Sequence, residues 1–199
     1  MPLLPLEPFL FPEDVLTQPP PAEEEGGQWW VLHTRPRAEK TLARRLLEGC
    51  QPFFLPLYQR KWQNNGRAFQ SWLPLFPGYV FLHGSGQGRL KALQTNLLAN
   101  VLPVLDQEQL QADLRRVHAL IVSGLPLLPE ERLEPGTAVE IVRGPLAGLE
   151  GKVLRQGKNW KFFVEVKLLQ RGVSVEIDAA MIRPVATARP APLTTTVCG

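Results

Sequence analysis

The sequence is poor in the residues that oxidised scaffolds, metal centres and membrane anchors require. It has two cysteines, Cys50 and Cys198, one near an expected helix end and one penultimate. They make no disulfide framework, so a reducing cytoplasm is the expected compartment. The three histidines, His33, His83 and His118, lie far apart without Cys or acid partners at ligand spacing. No metal and no other cofactor is expected. No apolar run approaches the roughly 18–20 residues of a membrane span. The first 26 residues contain no Lys or Arg and no unbroken apolar stretch, so no signal peptide is expected. No nucleophile–base or carboxylate pair offers a catalytic constellation, so the chain does not read as an enzyme.

What the first 26 residues do hold is seven prolines and six acids: Glu7, Glu13, Asp14, Glu23, Glu24 and Glu25. They are expected to form a disordered acidic tail, with docking of Phe9, Leu10 and Phe11 as the lesser alternative. The rest of the chain then carries 22 basic and 13 acidic side chains, a net of +9. That balance suits a polyanionic partner, or simply a solvated basic surface.

Residues 27–124 read as one α+β unit. Gln28–Thr34 is rich in aromatic and β-branched residues and reads as a strand. Pro36 suits a first helical turn, and residues 36–48 continue at helical spacing to Gly49. Phe53–Gln63 and Arg67–Leu75 flank Asn65-Gly66, the pair that best adopts a type I′ hairpin turn. Gly78–His83 is a further strand, followed by a loop at Gly84–Gly88, a short helix at Arg89–Thr95 and a strand at Val101–Leu105. Asp106 with Gln109 resembles a capping box and opens a helix whose stripe is Leu110, Leu114, Val117 and Ile121. Gly124 ends it. The expected arrangement has helices on one side of a mostly antiparallel sheet.

Residues 125–133 (LPLLPEERL) read as a linker, and residues 187–199 as a second disordered tail. Between them, at 134–186, short strands are expected at Thr137–Val142, Lys152–Arg155, Lys161–Leu168, Val173–Ile177 and Met181–Val185. Phe162, Val164, Val166 and Leu168 alternate with Phe163, Glu165 and Lys167. Five strands are too few for a sandwich, so a small five-stranded barrel is the expected closure.

Three features carry functional information. The turn from Arg143 to Val153 places Gly144, Pro145, Gly148 and Gly151 between two strands, giving an exposed loop with special backbone angles that a partner could approach closely. Arg37, Lys40 and Arg44, at i, i+3 and i+7 and flanked by Arg35 and Arg45, line one side of the first helix. Segment 28–72 holds eight basic residues and two acids. The loop Gly84-Ser85-Gly86-Gln87-Gly88 is spaced GxGxG rather than GxGxxG and lacks a following Gly-Lys-Ser/Thr, so nucleotide binding is not expected.

The stretch 143–153 is similar to the KOW motif, and Glu134–Val185 looks like a whole KOW domain, with an SH3-like barrel. The aromatic first strand, the Asn65-Gly66 hairpin and Leu75-Phe76-Pro77-Gly78-Tyr79-Val80-Phe81 resemble the NusG amino-terminal domain, an RRM-like α/β sandwich. Over 28–185 the chain therefore resembles the NusG family, and more specifically its specialised RfaH- or UpxY-like members. The resemblance implies a transcription elongation and antitermination factor acting as a monomer. Its first domain would bind the β′ clamp helices of bacterial RNA polymerase through Trp30, His33, Phe76, Pro77, Tyr79 and Phe81. Arg89 and Lys91 would lie towards the β gate loop. Arg35, Arg37, Lys40 and Arg44 would reach the non-template DNA strand. The KOW domain would recruit a ribosome, Rho or another factor. Alternation makes Tyr79 and Phe81 share one face, so both are expected to be core or both contact residues. The rival reading is a ribosome-associated or RNA-binding KOW protein, which leaves the Phe76–Phe81 segment unexplained.

Overall fold

In the computed structural model, residues 7–17, 27–64, 66–130, 136–156 and 159–185 are described. The first unit is built on a sheet ordered β1-β3-β6-β2-β7. Its strands are β1 (Leu10–Phe11), β2 (Gln28–Thr34), β3 (Phe53–Phe54), β6 (Tyr79–Gly84) and β7 (Leu98–Leu102), all pairing antiparallel. Trp29, Val31, Phe54 and Phe81 point into one core; Leu32, Phe53, Val80 and Leu82 point into another. A sheet apolar on both faces must be covered on both. Helix α3 (Gln107–Val122) therefore covers one face through Leu110, Leu114, Val117 and Leu120. Helix α1 (Glu39–Glu48) and Ala92 of α2 (Gly86–Gln94) cover the other. The expectation of helices on one side is thus corrected: the near-continuous apolar run in β2 marks a strand buried twice.

Local signals explain most boundaries. Arg37 adopts a left-handed φ of 62°, so α1 starts at Glu39 rather than at Pro36. Helix α2 begins inside the Gly-Ser-Gly loop. Asp106 caps α3 by accepting the Gln109 amide at 2.9 Å, but the Gln109 side chain donates to Asp113 instead of closing the box. The hairpin β4 (Leu57–Asn64) and β5 (Arg67–Pro74) pairs Asn64 with Arg67 around a two-residue turn, with Gly66 at φ 72°. It stands as a separate two-stranded ribbon.

The amino-terminal segment departs from its expected disorder. Residues 7–17 pack onto the first unit, with β1 pairing β3 at the sheet edge and the Leu55 amide donating to the Phe9 carbonyl at 2.6 Å. Val15 and Leu16 are fully buried in the α3-side core. The Leu16 carbonyl accepts from Gln111 and Arg115 of α3. Composition hid this because a few apolar side chains set among prolines do the anchoring: Val15 and Leu16 in the core, with Phe9, Leu10 and Phe11 partly buried against it, as the docking alternative expected. Leu16→Ala should lower stability by about 2–5 kcal/mol through the cavity it leaves, read as a fall in the thermal midpoint. Residues 1–6 and 18–26, and the tail expected at 187–199, lie outside the described residues.

The second unit is a six-stranded antiparallel sheet. Its strands are β8 (Leu128–Glu130), β9 (Thr137–Ile141), β10 (Glu150–Gln156), β11 (Asn159–Val166), β12 (Arg171–Ile177) and β13 (Ile182–Pro184), ordered β13-β9-β10-β11-β12-β8. The alternation read from the sequence holds as far as Val166: Phe162, Val164, Val166, Val173 and Val175 fill its core, whereas Leu168, expected on the same face, is exposed in a 3-10 turn after β11. The sixth strand is the surprise. Part of the expected linker, Leu128–Glu130, pairs with β12, and Glu130 accepts from the buried Ser174 hydroxyl at 2.6 Å.

The two units share one apolar core. Leu110, Leu114 and Val117 of α3 belong to the same buried cluster as Val139, Val164 and Val166. At its rim Asp113, with 1% of its side chain exposed, accepts the Lys167 backbone amide at 3.0 Å. Arg116 and Gln109 hold the other carboxylate oxygen at 2.7 and 2.8 Å. Lys167 Nζ returns a bond to Gln109 at 2.7 Å. The β-sheet unit is therefore docked on α3 by a polar clasp around an apolar centre.

Candidate functional site

The Phe76–Phe81 segment turns on Gly78. Its φ of 85° lies in the left-handed region, where glycine carries no Cβ penalty, and a Cβ there would press on the His33 ring at 3.4 Å. The Gly78 amide donates to the buried carboxylate of Glu39 at 2.7 Å, and the Gly78 carbonyl accepts from Thr34 at 2.8 Å. The start of α1 thus fixes the turn that presents Pro77 and Tyr79. Glu39 was not singled out from sequence, because an acid in a first helical turn normally reads as a solvated partner of the helix dipole.

The six residues expected to form one contact face separate into three groups. Phe76 and Phe81 are core, 1% and 0% exposed, meeting edge to face with centroids 6.2 Å apart. Tyr79 is half-buried and stacks on His33 at 5.1 Å and 22°, while Pro77 is exposed beside them. Trp30 lies on the opposite sheet face, packed against the α1-side core, with Arg89 over its ring at 4.9 Å and its Nε1 donating to the Gly84 carbonyl. The either-both-core-or-both-contact expectation fails for Tyr79 and Phe81. They share a face, but α3 covers only the inner end of it.

The outer end is covered differently. Arg171 of β12 sits over the Tyr79 ring at 5.5 Å and reaches the Pro77 carbonyl at 3.5 Å. The second unit thus lies against the exposed remainder of this face. Arg171 had no signal in the sequence, being one basic residue in a Gly turn. Asp113 did have one: it falls between Leu110 and Val117 on the apolar stripe of α3, where a carboxylate would be buried. Burial pushes the Asp113 carboxyl above the ordinary range, against the Lys167 amide, the Arg116 guanidinium and the Gln109 amide, which favour its charge. Burial also lowers the pKa of His83 on β6 and of His118 on α3, favouring their neutral forms.

The basic residues form a less continuous stripe than spacing suggested. Arg37 stands before α1, not on it, so only Lys40 and Arg44 lie one helical turn apart. Arg35 and Arg37 are exposed. Arg44 makes a bidentate pair with Glu7 of the amino-terminal segment, at 3.0 and 2.7 Å. That hydrogen bonding holds the Glu7 carboxyl below the usual range and raises Arg44. The basic face therefore already carries one anionic group, a carboxylate where a phosphate oxygen pair could sit.

In the 143–151 turn, Leu146 is buried and anchors a loop closed by the Gly148 amide on the Ile141 carbonyl at 2.7 Å. Gly144 and Gly148 have left-handed φ of 87° and 84° and are exposed with Pro145. Gly151 has another role. A Cβ on it would stand 2.4 Å from the Phe163 carbonyl oxygen, so it permits close packing of β10 on β11 rather than approach of a partner. Among the described residues no group of three or more His, Cys, Asp or Glu could hold a metal, and no helix is long and apolar enough to cross a membrane.

Comparison with known proteins matches residues 27–116 to the family model described as "NusG: Transcription termination factor nusG". The chain is 26% identical, over 178 residues covering 79% of it and 98% of the relative, to the transcription termination/antitermination protein NusG of Pseudomonas aeruginosa. Among solved structures it is similar to Thermotoga maritima NusG, in a study of domain interaction, at 14% identity and TM-score 0.47, covering 80% of this chain and 97% of that one. It is also similar to the MjSpt4:Spt5 complex at 16% identity and TM-score 0.25, covering 81% and 99%.

Proposed function

We propose that the chain, whose residues 27–116 match the NusG family model and which is 26% identical to a NusG protein, is a NusG-family factor that binds RNA polymerase through the Tyr79 face of its first unit. The observation that carries this is the turn at Gly78. Glu39 and Thr34 hold it, and it presents Pro77 and the stacked Tyr79–His33 pair at the surface, partly exposed at the edge of the core beneath. Aromatic groups fixed on a rigid frame suit a contact with an apolar groove such as the one between two clamp helices. Phe76 and Phe81 then act from beneath, as the core on which the face rests. Trp30 belongs to the other side of the sheet, with Arg89 over its ring, and this pair would lie towards the β gate loop.

Two consequences follow for mechanism. Polymerase bound at Tyr79 and the docked second unit would occupy the same place, because Arg171 covers the ring. Binding then selects molecules in which the second unit has left α3, and the measured affinity falls with the fraction that is open. The 143–148 loop, exposed in the docked molecule as well, would engage a second partner, a ribosome or Rho. Closed on the transcribing enzyme in the cytoplasm, the first unit would favour processive elongation and suppress pausing. Exposed Arg35 and Arg37, with Lys40 and Arg44, would face the non-template strand.

Capture of core RNA polymerase by the full chain tests the reading. Tyr79→Ala should reduce retained polymerase by about tenfold or more, as loss of a central aromatic anchor does, with the fold intact by circular dichroism. Undiminished capture would place the contact elsewhere.

A further inference from the structure

The β4–β5 ribbon carries an arrangement that the polymerase reading does not use. Trp62 and Phe69 stand directly opposite each other on its two strands and stack, with centroids 5.7 Å apart and planes 16° from parallel. Both remain exposed, at 42% and 41%, in a chain whose other Phe side chains lie largely in its cores. Alternation places Arg60 and Arg67 on the same ribbon face, one row to either side of the aromatic pair. Rows two residues apart are about 7 Å apart along a strand. Lys61 lies on the reverse face. From Leu57 to Pro74 there is no acidic residue, and no described carboxylate pairs with Arg60, Lys61 or Arg67. The root of the ribbon is anchored by Leu57 and Trp72 against the α1-side core, leaving the outer half free.

A stacked aromatic pair on opposite strands can stabilise a hairpin by itself. That accounts for the two rings meeting but not for cations on both sides of them and no anion anywhere on the ribbon. Exposed ring faces between cations are what single-stranded nucleic acid needs: π surfaces for unstacked bases and guanidinium groups for the flanking phosphates. A duplex offers the phosphates but keeps its bases stacked inside. We propose that the Arg60–Trp62/Phe69–Arg67 face of the hairpin is a base-stacking platform for a single-stranded nucleic acid. This site is separate from the α1 residues, and it stands or falls independently of the Tyr79 contact.

The test is fluorescence anisotropy of a labelled 12-residue oligo(dT) with the full chain, across a salt series, beside a duplex of the same length. Trp62→Ala with Phe69→Ala should weaken oligo(dT) binding about tenfold or more and leave duplex binding nearly unchanged. Trp62→Phe, which keeps a ring, should restore most of the loss, separating stacking from a misfolded ribbon. Arg60→Ala with Arg67→Ala should flatten the salt dependence by about 1.4 in log–log slope, two single-strand phosphate contacts. Wild-type chain that ignores oligo(dT) at low salt would overturn the proposal and leave the ribbon as a protein-docking surface. So would a double aromatic variant that binds oligo(dT) as the wild type does, or loses duplex binding in equal measure.

Discussion

Phe81→Ala is expected to lower the thermal midpoint of the first unit by about 15 °C, whereas Tyr79→Ala should lower it by only a few degrees. Phe81 is fully buried and packs against both Phe76 and Phe54. Removing such a ring costs about 3–5 kcal/mol in transfer and cavity terms, and each kcal/mol moves the midpoint of a domain this size by roughly 4–8 °C. Tyr79 is half-buried and loses chiefly its stack on His33 and the Arg171 contact. Thermal unfolding followed by circular dichroism reads both. Comparable losses for the two variants would mean that Tyr79 is as much core as Phe81, and the exposed face would disappear. The same difference makes Phe81→Ala unsuitable as a binding probe, since lost capture would then report lost folding.

The second large effect is expected at Asp113. Asp113→Lys places a cation, in a site with 1% side-chain exposure, beside Arg116 and the Lys167 segment. An unpaired buried charge of this kind costs several kcal/mol, and undocking the second unit relieves it by returning the site to water. The variant should show a larger radius of gyration by small-angle scattering and capture polymerase at least about tenfold better, because the competent fraction rises. Asp113→Asn keeps an acceptor for the Lys167 amide and should stay docked. Unchanged scattering for Asp113→Lys would show that the apolar centre holds the units together without the clasp.

The same carboxylate gives docking a pH dependence. Its pKa is raised in the docked state by burial. Docked chains therefore keep the Asp113 proton at pH values where undocked chains have lost it. Docking strengthens as pH falls through the raised docked pKa, and weakens as pH rises from the ordinary carboxylate range up to it. Asp113→Asn should abolish this dependence.

The pattern of what could be read from sequence follows from the range of the interactions involved. Strands β2 and β6, the Asn65-Gly66 hairpin, the Asp106 cap and the alternation in β11 and β12 rest on near neighbours, and each was legible. Trp30 and His33 stand three positions apart on β2 and so face opposite sides of the sheet, but the family resemblance grouped them on one contact face. Residues 7–17 were misread because composition reports average polarity, while Val15 and Leu16 act individually. Strand β8 was hidden in a Pro-containing segment whose partner, β12, lies more than 40 residues away. Asp113, Glu39 and Arg171 gain their roles only from contacts between distant segments. Of the three, only Asp113 left a trace, as an acid on an apolar stripe.

The most direct measurement of the central claim is the affinity of core RNA polymerase for three full-length chains: wild type, Tyr79→Ala and Asp113→Lys. The account predicts that Tyr79→Ala binds at least tenfold more weakly than wild type, that Asp113→Lys binds more tightly, and that combining them returns weak binding. Equal affinity of wild type and Tyr79→Ala, with both chains folded, would contradict it.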